Sequence, residues 1–135
     1  MRHYHEEQEK NIMYITKEYL ISHPSHLFVF GDNIIRQGLG GGAKLRHMKN
    51  SYGFITKKYP DNNDKSFYKP DEYILVYKKE LKMLKDFIKN NNQYDTILIS
   101  QLGGGLASKY NIFKEIIESN IKNDLSEFNH IKYLW

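Results

Sequence analysis

Two triple-glycine runs, Gly40-Gly41-Gly42 and Gly103-Gly104-Gly105, constrain this chain more than any other feature. Each follows a short apolar run, Leu27-Phe28-Val29-Phe30 before the first and Thr96-Ile97-Leu98-Ile99 before the second. Aromatic and β-branched runs of this length read as buried strands. Glycine gives up more conformational freedom on folding than any other residue, so its clustering needs a reason. Of the nine glycines, only Gly53 lies outside the loops 31–43 and 101–108. A loop bare of side chains lets backbone N–H groups surround an oxyanion, and a following helix adds its own free N–H groups and positive dipole end. Two such loops at one sheet edge would grip a diphosphate from both sides. The plainer alternative is that the glycines only make tight strand-to-helix turns.

The rest of the chain alternates in the same way. Residues 12–15 read as a short strand and 17–21 as a short helix. Ala43 to Arg46 opens a helix predicted to run to about Asn50, and Gly53-Phe54-Ile55-Thr56 is another strand. Pro70 followed by Asp71 and Glu72 is a helix start, because proline suits the first turn and acids complement the dipole. Tyr73, Ile74, Tyr77, Leu81, Leu84 and Ile88 then form one stripe at three- and four-residue spacing. Ser108 is placed to cap a helix whose stripe is Ile112, Phe113, Ile116, Ile117 and Ile121, and residues 131–135 read as a last strand. Strand alternating with helix argues an α/β fold. The expectation is a single domain over residues 1–135: three layers, α/β/α, around a mixed or mostly parallel central sheet. In such sheets ligands sit beyond the carboxyl ends of the strands, where both glycine loops fall.

Composition excludes several classes. The 135 residues contain no cysteine, hence no disulfide, thiolate metal site or cysteine nucleophile. No apolar run approaches the roughly 20 residues that cross a bilayer, and the polar start, Met1-Arg2-His3-Tyr4-His5, lacks a signal-peptide core. A soluble cytoplasmic protein without membrane contact is expected. The six histidines show no familiar zinc spacing, so no metal and no cofactor is expected. Net charge is +4, with the lysines scattered rather than massed. That balance suits an anionic small ligand. The rival reading, a non-enzymatic interaction protein or nucleic-acid binder, would use Lys44, Arg46, Lys49, Lys57 and Lys58 as a patch, with Tyr52 and Tyr59 interleaved for stacking.

Neither glycine loop is a Walker A sequence, since no Gly-Lys-Ser or Gly-Lys-Thr ends it, and the spacing is not that of a dehydrogenase fingerprint. The candidate ligand-binding residues are Gly31, Asn33, Arg36, Gly40, Gly41, Gly42 and Ala43 on the first loop, and Gln101, Gly103, Gly104, Gly105 and Leu106 on the second. Asp32 and Asn33 stand at the strand tip, where they can bond ribose hydroxyls or a water, or form an ordinary turn pair. Lys57 follows the strand Phe54-Ile55-Thr56, where an amine can pair a phosphate or attack a sugar C1 carbon, while solvation suits at least one of Lys57 and Lys58. Asp32, Asn33 and Lys57 are the catalytic candidates. Arg46 reads equally well as a surface charge.

These segments resemble macrodomains. Phe28-Val29-Phe30-Gly31-Asp32-Asn33 takes the place of the family's strand and Val-Asn-Ala-Ala-Asn motif, with Asn33 as the distal-ribose asparagine. Gly40-Gly41-Gly42-Ala43 stands for the glycine cluster, and residues 101–107 for the phosphate-gripping second loop. Val29-Phe30-Gly31-Asp32-Asn33, Gly53-Phe54-Ile55-Thr56-Lys57 and Gly103-Gly104-Gly105-Leu106-Ala107 are also similar to a group of small uncharacterised phage and bacterial proteins of macrodomain-like type. The resemblance implies an ADP-ribose-type ligand, with its diphosphate between the loops and its distal ribose near Asp32 and Asn33. It implies either capture, as in a phage protein that sequesters an NAD-derived immune signal, or removal of ADP-ribose from protein or nucleic acid. Nucleic acid would then be a partner only as a modified substrate.

Overall fold

A computed structural model describes residues 14–135. Four strands form one sheet: β1 (His26–Asn33), β2 (Ser51–Lys57), β3 (Thr96–Ile99) and β4 (Ile131–Tyr133). All neighbours are parallel, in the order β2-β1-β3-β4. The fold is α/β, as the alternation predicts, and the sheet is parallel throughout these strands.

The strand order makes β1 and β3 central, which explains their unbroken apolar runs: both faces need cover. Successive side chains divide between the faces. Leu27, Val29, Ile97 and Ile99 join a cluster built with Tyr73, Tyr77, Leu84 and Ile88 of the long helix α2 (Pro70–Lys89). Phe28, Phe30 and Leu98 join a smaller cluster with Leu20 of α1 (Lys17–Ser22) and with Ala43 and Leu45. Thr16 caps α1 by accepting the Tyr19 N–H at 3.0 Å. Asn50 ties the end of that helix to the sheet, its Nδ2 lying within 3.1 Å of the Leu20, His23 and His26 carbonyls.

Helix α2 begins at Pro70, with Glu72 accepting the Lys69 N–H at 3.1 Å. Its stripe differs from the expected one: Ile74 is exposed, and Glu80 is buried with Tyr73, Tyr77, Leu84 and Ile88. Among the described strands β2 is an edge, so Ile55 has polar groups that no described strand pairs. Glu80 accepts the Ile55 N–H at 2.7 Å, and the Tyr73 hydroxyl donates to the Ile55 carbonyl at 2.5 Å.

Three expected elements change form. Of the strand expected at 12–15, residues 12 and 13 lie outside the described residues, while Tyr14 and Ile15 are irregular and Ile15 packs in the cluster of Phe28 and Phe30. The helix expected from Ala43 to Asn50 is a single 3-10 turn, Gly41–Leu45, followed by further turns. Adjacent glycines oppose a longer helix. The helix expected from Ser108 is broken at Asn111, which takes a left-handed conformation with φ 60°. A 3-10 turn (Ser108–Tyr110) precedes the break, and a π segment (Phe113–Ile117) and α3 (Ile121–Asp124) follow it. Ser108 therefore lies inside a turn rather than capping a helix, although all five residues of the predicted stripe are buried.

Candidate functional site

The chain leaves β1 toward β2 on one side and β3 toward β4 on the other. The crevice beyond the carboxyl ends of β1 and β3 is thus the point where the strand order reverses, the favoured ligand position in open parallel sheets. A cleft of about 700 Å³ opens there. Both glycine loops line it, and every sequence-predicted site residue lies on its wall except Arg36. The loops also touch. A Cβ on Gly40 would sit 2.6 Å from Leu106 Cδ1, so Leu106 of the second loop rests on the bare backbone of the first. Leu106 is otherwise 65% exposed.

The first loop is shaped by ion pairs. Asp32 is buried, and both of its oxygens are occupied. Arg46 Nη2 donates to Oδ1 at 2.6 Å and Arg46 Nε to Oδ2 at 3.2 Å. Arg36 Nη1 donates to Oδ2 at 3.1 Å, and the Asn33 N–H to Oδ1 at 2.8 Å. Burial pushes the Asp32 carboxyl up, but the hydrogen bonds from Arg46, from the Asn33 N–H and from Arg36 outweigh it and hold the group below the usual carboxylate range. With its acceptor positions filled and its proton affinity lowered, Asp32 is unsuited to activating a water. Its oxygens anchor the first loop through Arg46, Arg36 and the Asn33 N–H. Arg36 is likewise turned from the cleft, donating to Asp32 and to the Gly53 carbonyl at 3.0 Å rather than reaching for a phosphate. Asn33 lines the cleft, and its Nδ2 donates to the Gln37 carbonyl at 2.7 Å.

Lys57 and Lys58 part company. Lys58 pairs with Glu72 at 3.1 Å. Lys57 is 7% exposed, lines the cleft and places its Nζ 4.7 Å from the centre of the Phe67 ring. Burial pushes its ammonium below the ordinary lysine range, and Asp61 opposes that only in part.

The second loop is held by packing and its own main chain. Gly103 has φ +77°, and a Cβ there would lie 2.8 Å from Ile112 Cγ1. The Leu102 N–H donates to Ser100 and the Gly104 N–H to Gln101. Gly105 has nothing within 4 Å of where its Cβ would be and faces open space. Among the described residues, the N–H groups of Gly38, Leu39, Gly40, Gly41, Gly103, Gly105 and Leu106 donate to no protein acceptor. The helix dipoles expected behind each loop are absent, since one 3-10 turn follows each. Any anion would be met by loop amides.

Residues 10–110 of the 135 match the family of unknown function DUF7831. The chain belongs to that family. All residues that line the cleft fall within the DUF7831 span, which ends as the second glycine loop gives way to the broken helical segment. No curated protein and no solved structure matches the chain.

Sequence reasoning missed several parts of this DUF7831 site, among them Gln37, Thr56, Pro60 and Ser100 on the cleft wall. Arg46 was indistinguishable from a surface charge, since its pairing across 14 residues depends on the path of the loop. Gly38 and Leu39, inside the first loop but outside its glycine run, also line the cleft. Among the described residues no group of three His, Asp or Glu side chains is placed to hold a metal, and no helix is long and apolar enough to cross a membrane.

Proposed function

We propose that the cleft binds an ADP-ribose-type nucleotide, either a free NAD-derived signal or an ADP-ribosyl adduct, with its diphosphate between the two glycine loops. The observation that carries this reading is the convergence of both loops on one cleft, each presenting N–H groups with no protein acceptor among the described residues. An unpaired amide that a ligand oxygen can reach is an oxyanion donor. The cleft volume of about 700 Å³ suits a dinucleotide-sized molecule better than an isolated phosphate. Capture needs no more than this, and a phage protein so built would sequester the signal. The macrodomain resemblance points to the same ligand.

Hydrolysis of the ligand is the second reading, and Lys57 favours it. Lys57 places an amine at the cleft wall, and burial lowers its pKa, the direction that favours the uncharged form a nucleophile needs. Its nitrogen would bond to the ribose C1 as the leaving group departs, and water would then release the sugar. The basic-patch alternative loses three of its five cations: Arg46 is spent on Asp32, Lys57 is buried and Lys58 is paired with Glu72.

The test is thermal melting with ADP-ribose, NAD, ADP and a long oligonucleotide, followed by chromatography of recovered ligand. A rise in Tm with ADP-ribose is expected, absent in Gly105→Glu. Intact ligand on recovery means capture, and altered ligand that stays intact with Lys57→Ala means catalysis. A response to the oligonucleotide alone would overturn the nucleotide reading.

A further inference from the structure

Arg46 does more than neutralise Asp32. Its Nη1 donates to the Gly38 carbonyl at 2.8 Å and its Nη2 to the Gln37 carbonyl at 3.3 Å. In an extended chain successive carbonyls point to opposite sides. Two in a row can face one guanidinium only if the residue between them turns, and Gly38 does so with φ +89°. All peptide bonds here are trans, so each N–H points away from the carbonyl of its own peptide unit. Drawing the Gln37 and Gly38 carbonyls onto Arg46 therefore sends the Gly38 and Leu39 N–H groups the other way. Gly38 and Leu39 line the cleft, whereas Arg46 does not. Neither N–H has a protein acceptor among the described residues. Asn33 holds the Gln37 carbonyl from a second direction.

We infer that Arg46, fixed by its two-pronged pairing with Asp32, is the positioning residue that turns the Gly38 and Leu39 amides into the cleft to make a pyrophosphate cradle. Arginine is required rather than any cation, because a planar fork can serve Asp32, Gln37 and Gly38 together and a lysine ammonium cannot. The inference rests on the proposed anionic ligand but requires only its diphosphate part.

The experiment is an NMR titration of the intact protein with inorganic pyrophosphate, and separately with ADP-ribose, in the wild type, Arg46→Lys and Asp32→Asn. In the wild type the Gly38 and Leu39 amide signals are expected to move most on adding pyrophosphate. In Arg46→Lys, which keeps the charge, pyrophosphate affinity should fall at least about tenfold, the loss of one or two charge-assisted hydrogen bonds. The free variant should show altered amide signals over residues 37–42 and unaltered ones over 103–105, since Leu106 itself touches the first loop. Changes spread equally over both loops would mean general support of the fold, and would overturn the inference. So would undiminished pyrophosphate binding in Arg46→Lys, no pyrophosphate binding by the wild type, or binding that leaves Gly38 and Leu39 unmoved. Where Arg46→Lys fails to fold, Asp32→Asn, which weakens the fixing of Arg46, should show the same loss of affinity with amide changes confined to residues 37–42, and the wild-type titration still decides whether the Gly38 and Leu39 amides take pyrophosphate. Pyrophosphate bound at these amides without ADP-ribose binding removes the nucleotide reading and keeps this one. ADP-ribose bound elsewhere in the cleft does the reverse.

Discussion

The two glycine loops reach the same cleft by different physics. The first is held by charge: Asp32 is gripped by two arginines, and the Arg46 guanidinium gathers the loop carbonyls behind it. The second is held by shape: Gly103 presses against Ile112 and Ile117 in the main core, and short main-chain bonds finish the turn. A charged scaffold sets the direction of backbone groups but answers to pH and salt. A packed one answers to volume.

That contrast is open to attack. The largest effect is expected at Gly103. A valine there meets both a left-handed backbone and an Ile112 contact of 2.8 Å, so Gly103→Val should cost about 4 kcal/mol, read from urea unfolding. Next comes Asp32→Ala, which strands two arginines around a buried site and should cost about 3 kcal/mol. A reversed order would show that charge, not packing, is the stronger support.

Acid separates the loops more sharply. Asp32 titrates lower when folded than its unfolded value of about 3.9. The unfolded chain therefore takes up the proton first. The stability Asp32 contributes is present above that value and is lost as pH falls through the lower folded one. Wild-type urea midpoints should drop below about pH 4, and Asp32→Asn should flatten that part of the profile. An unchanged slope in the variant would place the acid sensitivity elsewhere.

Smaller effects follow. Gly105→Glu should change stability by no more than about 0.5 kcal/mol, since its Cβ enters open space, while abolishing the ADP-ribose shift in Tm. Loss of folding in that variant would mean the second loop is tighter than its packing indicates. The smallest effect belongs to the exposed latch in which Tyr110 and Lys109 meet Asp64. Asp64→Asn should leave Tm unchanged, because exposed pairs of this kind contribute little.

Much of this arrangement was legible in the residues. Strands β1 and β3 announced themselves as apolar runs, and α2 through Pro70 and its stripe. The placement of both glycine loops after core strands followed from those. What escaped depended on neighbours distant in sequence. Glu80 looks like a surface ion beside Lys79, and only knowledge that β2 is an edge strand gives its carboxylate an N–H to accept. Asn111 tolerates a left-handed turn better than most residues, but that tolerance alone does not fix where the helical pattern breaks. Asp32 was noticed for its position but not for its ion pair, because its partner Arg46 is brought to it by the loop itself.

The capping of Ile55 by Glu80 and Tyr73 reaches beyond the domain's own stability. A foreign peptide that extends a sheet does so by zipping onto free main-chain groups, and at Ile55 those groups are already spoken for. Templated growth, whether into a fibre or onto a borrowed segment, is thereby barred at the middle of this flank.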